Sequence, residues 1–551
     1  QCRQSVAIGR LRQAKGRVVS LEHTLTEYRT MASMFRKRTV LISLAAVVVS
    51  VAVVIGGLYV LFLTAIEDPF IAIFDENCSV CHGENLEGTT LGTPLIGVDL
   101  IHGDSVADLI KSIAGGYDAA GMPAWSQTMD GAKIQSLAIY IAERRVGRKF
   151  TEFKVDMPLV LPTDAIVSER HSFRIETVAM NLNPLPYSIA PLSDGRILLT
   201  EKKLGLSIIS KDGEQSELIQ GTPKAYDDGF AIPVVALEMG LGWMMDVAVH
   251  PDYEDNGWIY LHFGDRCSLC NRASRESGNA VSMNALVRGR IADGAWVDEE
   301  TIWRADIETY TEMPDMAAGG RITFDHEGFV FISIGMKGNS NYSGIQDLSM
   351  PYGKIHRMHD DGRIPSDNPF IDISGAQKTT WTYGHRSPQG LEFNLHTGQL
   401  WGTEMGPRGG DELNLLLPGR NFGWPLYSKG LDYDGTPVEY GKELGIEFEL
   451  EDIEQPVLDW TPSPAISSFI FYEGEAFPEW QHNVIVGTLK ATELYRVVLD
   501  GDKVVHTEIL LKDLARIRDV ETGYDGNIYL LLEHASGGQI VRLVPESAPS
   551  S

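Results

Sequence analysis

Residues 324–335 read FDHEGFVFISIG, a turn containing Gly328 followed by a short apolar strand. The unit recurs along the chain: LSDGRILLTE at 192–201, DYEDNGWIYLHF at 252–263, NLHTGQLWGTEMG at 394–406, EWQHNVIVGTLK at 479–490 and GYDGNIYLLLEH at 523–534. Turn signals alternating with short apolar runs read as antiparallel strands. Repetition around a channel is how such a chain avoids long exposed edges. Six units predict a mainly β, six-bladed propeller, with the strand after each turn lining the centre. Spacing by itself leaves a two-sheet sandwich open.

The bulk numbers are consistent with such a body and something more. The chain has 551 residues, so two or more domains are expected. Hydrophobic residues make up 43%, and 55 glycines favour a turn-rich globular protein over a disordered one. A formal net charge of -28 argues against nucleic acid as a partner, which requires a basic face. Acidic surface can steer basic redox partners.

The N-terminal part reads differently. Residues 1–38 form a basic cytoplasmic segment, of which 1–30 is expected to precede a native start at Met31 or Met34. Arg36, Lys37 and Arg38 lead into an apolar run over 39–66, long enough to cross a bilayer, which needs about 20 residues. Positive charge before the run, and Glu67 with Asp68 after it, predict a single-pass anchor in the inner membrane with the bulk of the chain in the periplasm.

Residues 74–88, FDENCSVCHGENLEG, place Cys78, Cys81 and His82 as C-x-x-C-H. Two thiols add to haem vinyl groups and the histidine ligates iron. Residues 105–115 begin on a capping pair, Ser105 and Asp108, and put Val106, Leu109, Ile110 and Ile113 on one helical face. Residues 130–145 repeat the pattern with Ile134, Leu137, Ala138 and Ile141. Between them GMPAW offers Met122 as second axial ligand, with Met129 the alternative. A His/Met pair suits electron transfer. Residues 69–147 therefore resemble a small class I cytochrome c carrying haem c. Cys267 and Cys270 form a second C-x-x-C with Asn271 in place of histidine, and a disulfide is expected. Residues 148–170 read as a linker, and the propeller is expected over 171–546.

Longer motifs add a resemblance. YGHRSPQGLEF, TEMGPRGGDELNLLLPGRNFGWP, QDLSMPYGKIHRMHDDGRIPSDNPF and RIRDVETGYDGNIYLL are similar to the soluble PQQ-dependent aldose and glucose/sorbosone dehydrogenases. That resemblance implies a six-bladed propeller with PQQ on its top face, hydride transfer from sugar C1 to the quinone, and electrons leaving singly to an acceptor. It also implies Arg386 at the quinone oxygens, Lys490 at the cofactor, Arg516 and Arg518 at its carboxylates, and the Gly406 and Pro407 carbonyls on Ca2+, with Asp411 and Glu412 just after.

One part of the pattern is missing. The family's general-base histidine precedes a G-G-R, and here PDMAAGGRITF puts Ala317 at that position. Leu241, Met316, Met336 and Met405 replace polar residues around it, so the substrate wall reads as apolar. His385 is a weak substitute base, and His250, His262 and His534 lie near propeller motifs. The expected activity is a sugar or alcohol dehydrogenase passing electrons through its own haem to a downstream cytochrome, quinone-linked complex or terminal oxidase. The alternative is a catalytically inactive propeller serving as a docking module for the cytochrome.

The C-x-x-C-H reading predicts that haem stays on the polypeptide through acid–acetone extraction. Cys78→Ala or Cys81→Ala should each increase the extractable fraction, read by pyridine haemochrome.

Overall fold

The computed structural model describes residues 69–147, 153–232, 237–337 and 342–546. Residues 1–38 and the expected span at 39–66 lie outside the described residues. Among the described residues no helix is long and apolar enough to cross a membrane.

Four helices open the described chain: α1 (Pro69–Asn77), α2 (Ser79–His82), α3 (Val106–Gly115) and α4 (Gly131–Arg145). Ser105 caps α3 by accepting from the Asp108 amide at 3.2 Å, and Asp130 caps α4 by accepting from the Lys133 amide at 2.8 Å. Phe70, Phe74, Leu109, Ile113, Ile134 and Leu137 share one apolar core. The expected apolar stripe of α4 is buried, but so are Ser136, Ile139 and Glu143 on its other side. The propeller covers that second face.

The rest of the described chain builds six antiparallel blades around a channel, with one small two-stranded sheet besides. Their innermost strands are Pro186–Pro191, Met244–Val249, Gly319–Phe324, Pro388–Asn394, Ile466–Phe471 and Arg516–Thr522. Each touches the next, and the sixth touches the first. The ring is closed by pairing the two ends of the domain: Ser172–Leu182 joins the last blade beside its C-terminal strand, with Ile175 opposite Leu543. This closure removes the free edges that an open sheet would expose.

The six repeated turns each join an innermost strand to the strand beside it. The strand after each turn is therefore second from the centre, not the channel-lining strand expected from the repeat. The reason is burial on both faces. Ile528–Glu533 is apolar and buried at every residue between its neighbours up to Glu533, whereas the channel strands carry the buried polar groups Asp246, Arg321, Gln389 and Asp519.

Arg321, in the third innermost strand, ties that ring together. Its Nη1 pairs with Asp519 at 2.7 Å and Asp246 at 3.2 Å, Nε donates to the Gln389 carbonyl at 2.7 Å, and Nη2 donates to the Arg518 carbonyl at 3.1 Å. Asp246 accepts from the Ile322 amide and Asp519 from the Ile189 amide. One guanidinium and two carboxylates thus connect five of the six blades. All three side chains are buried.

Two further features frame the site. The described part of the expected linker lies along the last blade: the Ala535 amide donates to the Val155 carbonyl at 2.7 Å, and Leu159 and Leu161 pack on the propeller core. Cys267 and Cys270 form the expected disulfide. Asn271 caps the short helix that follows, accepting from the Ser274 amide at 2.9 Å.

Removing one partner of a buried ion pair costs ~3–5 kcal/mol. Arg321→Ala should therefore lower the thermal unfolding midpoint of the propeller sharply. Arg272→Ala, which removes an exposed i,i+4 pair with Glu276, should leave it nearly unchanged, both read by calorimetry.

Candidate functional site

The haem motif sits at the junction of α1 and α2. Cys78 caps α2, its amide donating to the Phe74 carbonyl at 2.7 Å, and Cys81 and His82 follow on the same turn. Among the described residues neither cysteine is in a disulfide. Burial, with Cys81 beside it, pushes the Cys78 thiol up to about 12. The His82 Nδ1 faces the Thr93 carbonyl at 2.8 Å, which fixes the ring and leaves Nε2 for a metal. Met122 is held by paired backbone hydrogen bonds with Tyr117, at 2.8 and 3.2 Å. Met122 and Met129 both pack against the apolar cluster beside the motif. These residues fit a covalent haem with one histidine ligand and a thioether.

The second site lies on the propeller rim opposite the six turns. There the innermost strands begin and the second strands end, so Pro186 faces Glu201, Gly319 faces Ile334, Pro388 faces Glu404 and Arg516 faces Glu533. Antiparallel register thus gathers side chains that are distant in sequence. Glu533 is the hub of one cluster: it pairs with Arg518 at 2.6 Å, Arg516 at 3.3 Å and Lys202 at 3.7 Å. Burial alone would raise the Glu533 carboxyl, but Arg518, Lys202 and Arg516 hold it well below the usual carboxylate range. Burial, with Arg518 alongside, pushes the Lys202 ammonium down to about 7. Lys202 also lies over the rings of Trp243, at 5.6 Å, and Tyr187, at 5.9 Å.

Arg386 forms the other side of this rim. Its Nη1 donates to the Met405 and Gly406 carbonyls, each at 3.1 Å, and its Nη2 donates to the Tyr433 hydroxyl at 3.2 Å. Among the described residues its Nε has no hydrogen-bond partner, and neither does the Trp243 Nε1. Lys490 is buried at the end of the second strand of the fifth blade, its amide bonded to the Pro464 carbonyl. Several cations and unpaired donors around one rim suit a ligand bearing carboxylates and carbonyls.

Among the described residues no three His, Cys, Asp or Glu side chains gather as a metal set. A hard cation beside Arg386 would therefore rest on the Gly406 and Pro407 carbonyls, with further oxygens from ligand and water, since calcium takes 6–8. Asp411 shapes this loop. It accepts from the Gly406 amide at 3.1 Å, and from Ser463 Oγ and the Ile466 amide at 2.9 Å each.

Asp315 organises the wall. Its carboxylate accepts from the Gly242 and Trp243 amides at 2.7 and 2.9 Å and pairs with the buried Lys337. Leu241 is thereby held beside the turn that carries Met316 and Ala317. Met336 and Met405 flank Arg386: the Met336 amide donates to the Arg386 carbonyl, and the Met405 amide to that of Ser387. His385 has Nδ1 on Glu404 at 3.0 Å and Nε2 on Thr382 at 2.8 Å, so both nitrogens are engaged inside the protein. His262 is fully buried, and burial pushes it down to about 3. His250 caps a turn at the opposite end, and His534 bonds Ser536 and the Met157 carbonyl. A cavity of about 210 Å³ at the turn-bearing end of the channel includes none of the rim residues.

Sequence reasoning missed Lys202 and Glu533. A signal existed: LLTEK and VGTLK both place a lysine at the exit of a second strand, so Lys202 occupies the register of Lys490 one third of the ring away.

Residues 183–542 match the family described as Glucose / Sorbosone dehydrogenase, and residues 70–141 match Cytochrome C oxidase, cbb3-type, subunit III. The chain is 32% identical over 403 residues to aldose sugar dehydrogenase YliI of Escherichia coli (strain K12), covering 71% of this chain and 98% of that protein. It is 40% identical over 75 residues to the cbb3-type cytochrome c oxidase subunit CcoP of Azospirillum brasilense, covering 12% of this chain and 25% of that one. The PQQ-bound form of aldose sugar dehydrogenase from Streptomyces coelicolor shares the fold, with a TM-score of 0.51 at 24% identity, over 70% of this chain and 100% of that one.

Glu533→Gln would leave Lys202, Arg516 and Arg518 uncompensated, a loss of ~3–5 kcal/mol. Because the Glu533 carboxyl is depressed, its stabilisation is present above the unfolded value of 4.5 and is lost as pH falls below it. The gap in thermal midpoint between variant and unmodified protein should therefore be full at pH 7 and begin to narrow between pH 4.5 and pH 3. Citrate should raise the variant's midpoint more than that of the unmodified protein.

Proposed function

Since the chain belongs to the glucose/sorbosone dehydrogenase family, we propose that its propeller is a PQQ-dependent dehydrogenase of an aldose or alcohol, coupled to its own haem c. The observation that carries this reading is the cation rim formed by Lys202, Arg386, Lys490, Arg516 and Arg518. Bound there, PQQ would supply a quinone that accepts hydride from the substrate carbon. Arg516, Arg518, Lys202 and Lys490 would hold its carboxylates and Arg386 its quinone oxygens. Gly406 and Pro407 would offer their carbonyls to Ca2+.

The substrate side differs from an ordinary aldose site. Leu241, Met316, Met336 and Met405 offer sugar hydroxyls no partners, and an unpaired buried polar group costs ~1–3 kcal/mol. Ala317 cannot take the hydroxyl proton, and a general base typically contributes ~100- to 10,000-fold. The substrate is therefore less polar than glucose, and glucose turns over slowly. The missing base and the occupied nitrogens of His385 favour a second reading, in which the propeller only docks the cytochrome.

Haem attachment and the Cys267–Cys270 disulfide suit an oxidising compartment. With the apolar run at 39–66 as anchor, the body of the protein lies in the periplasm at the inner membrane. The likeness of residues 70–141 to oxidase-subunit cytochromes supports a downstream cytochrome, quinone-linked complex or terminal oxidase as electron acceptor.

Calorimetry with PQQ and Ca2+ tests the proposal. Binding should weaken ~10- to 100-fold in Lys490→Ala, the equivalent of a charged hydrogen bond. Binding of an anion should protonate Lys202, so affinity should fall as pH rises above about 7. No binding with calcium present would favour the docking module.

A further inference from the structure

We propose that Arg408 is a positioning residue that locks the haem domain in one register over the cofactor rim. Its functional consequence rests on the dehydrogenase reading above. Arg408 lies two residues after Gly406 and points away from the rim into the helical domain. There its Nη2 pairs with Glu143 of α4 at 2.7 Å, with both side chains almost fully buried, at 1% and 3% exposure. Its guanidinium lies 3.8 Å from the ring centroid of Phe70, at the start of α1. Cys78 follows directly on the end of that helix.

The surrounding contacts carry the same segment of blade four across to the haem domain. The Arg408 amide donates to the Leu431 carbonyl at 3.1 Å, and Leu431 is part of the haem-domain core. Gln135 donates to the Lys429 carbonyl at 3.2 Å, and Ser136 to the Gly435 carbonyl at 3.1 Å. Gly435 has a φ of +86°, and a Cβ there would stand 2.4 Å from the Phe70 ring. Between these anchors Tyr433 receives the Arg386 hydrogen bond. Residues 405–435 thus hold the cofactor-facing arginine on one side and the haem-bearing helices on the other.

An apolar contact alone would permit sliding. A buried ion pair is poor at adding stability but can fix register, because any shift leaves a charge unpaired. Electron tunnelling falls steeply with separation, so register sets the rate. Oxidation of one substrate hydroxyl carbon releases two electrons and two protons. The protons go to solvent. Each electron reduces one Fe(III) haem to Fe(II), and an external one-electron acceptor such as ferricyanide must reoxidise the iron before the second follows.

The test uses the full chain in three variants: Arg408→Ala, the near-isosteric Glu143→Gln, and the exchange Arg408→Glu with Glu143→Arg. In the first two, amide hydrogen exchange in α1 and α4 should quicken about tenfold or more, with the covalent haem spectrum unchanged. The exchanged pair should recover part of the protection. In PQQ-loaded protein, haem reduction in Glu143→Gln should slow about tenfold or more while reduction of a soluble dye is unchanged. Wild-type exchange in both single variants, or dye and haem reduction slowed equally, would overturn the proposal. If unmodified loaded protein reduced neither dye nor haem, the dehydrogenase reading would fail while the exchange measurements still decided the latch.

Discussion

Arg321 is the constraint on which the remainder of the structure depends. A propeller has no central apolar core: its innermost strands meet around a channel, and something must hold them at a fixed radius. Here one buried guanidinium bonds two carboxylates and two carbonyls from neighbouring blades. It is positioned by Gly319 and Gly320, both at positive φ, which let the strand enter the ring beside the Tyr187 hydroxyl. Arg518 offers its carbonyl to Arg321 and its guanidinium to Glu533. The hub that sets the ring also sets the rim.

The rim then has two chemical halves. One carries cations drawn together by Glu533 and by the loop carbonyls around Arg386. The other is the wall of Leu241, Met316, Ala317, Met336 and Met405, whose side chains neither accept protons nor bind hydroxyls. The first half is suited to an anionic ligand on its own. The second decides what can react. The haem domain attaches through the loop of blade four that also contacts Arg386, so cofactor site and haem attach to the same stretch of backbone.

Much of this was legible in the sequence, because the features were local. Turn-plus-strand units count the blades, C-x-x-C-H marks the haem, and capping residues at Ser105 and Asp130 start the helices where expected. The misplacement of the repeated strands has a physical cause. Apolar runs such as 528–533 mark the strand sandwiched between two neighbours. The channel strands hold Asp246, Arg321, Gln389 and Asp519, and so read as less core-like. Arg321 could be seen in sequence as part of G-G-R, but its five-blade network depends on pairings distant in the chain. Lys202 was missed because a lone lysine at a strand end looks like surface charge until the register places it over Glu533. Likewise, Ser136, Ile139 and Glu143 lie off the apolar stripe of α4, and only the propeller explains their burial.

The central claim is that electrons from the propeller reach the haem of the same chain. The most direct measurement is stopped-flow haem reduction after substrate is mixed with PQQ- and Ca2+-loaded protein, repeated over a range of protein concentrations. The account predicts a first-order rate independent of protein concentration. A rate rising in proportion to protein concentration, as for electrons exchanged between molecules, would contradict it.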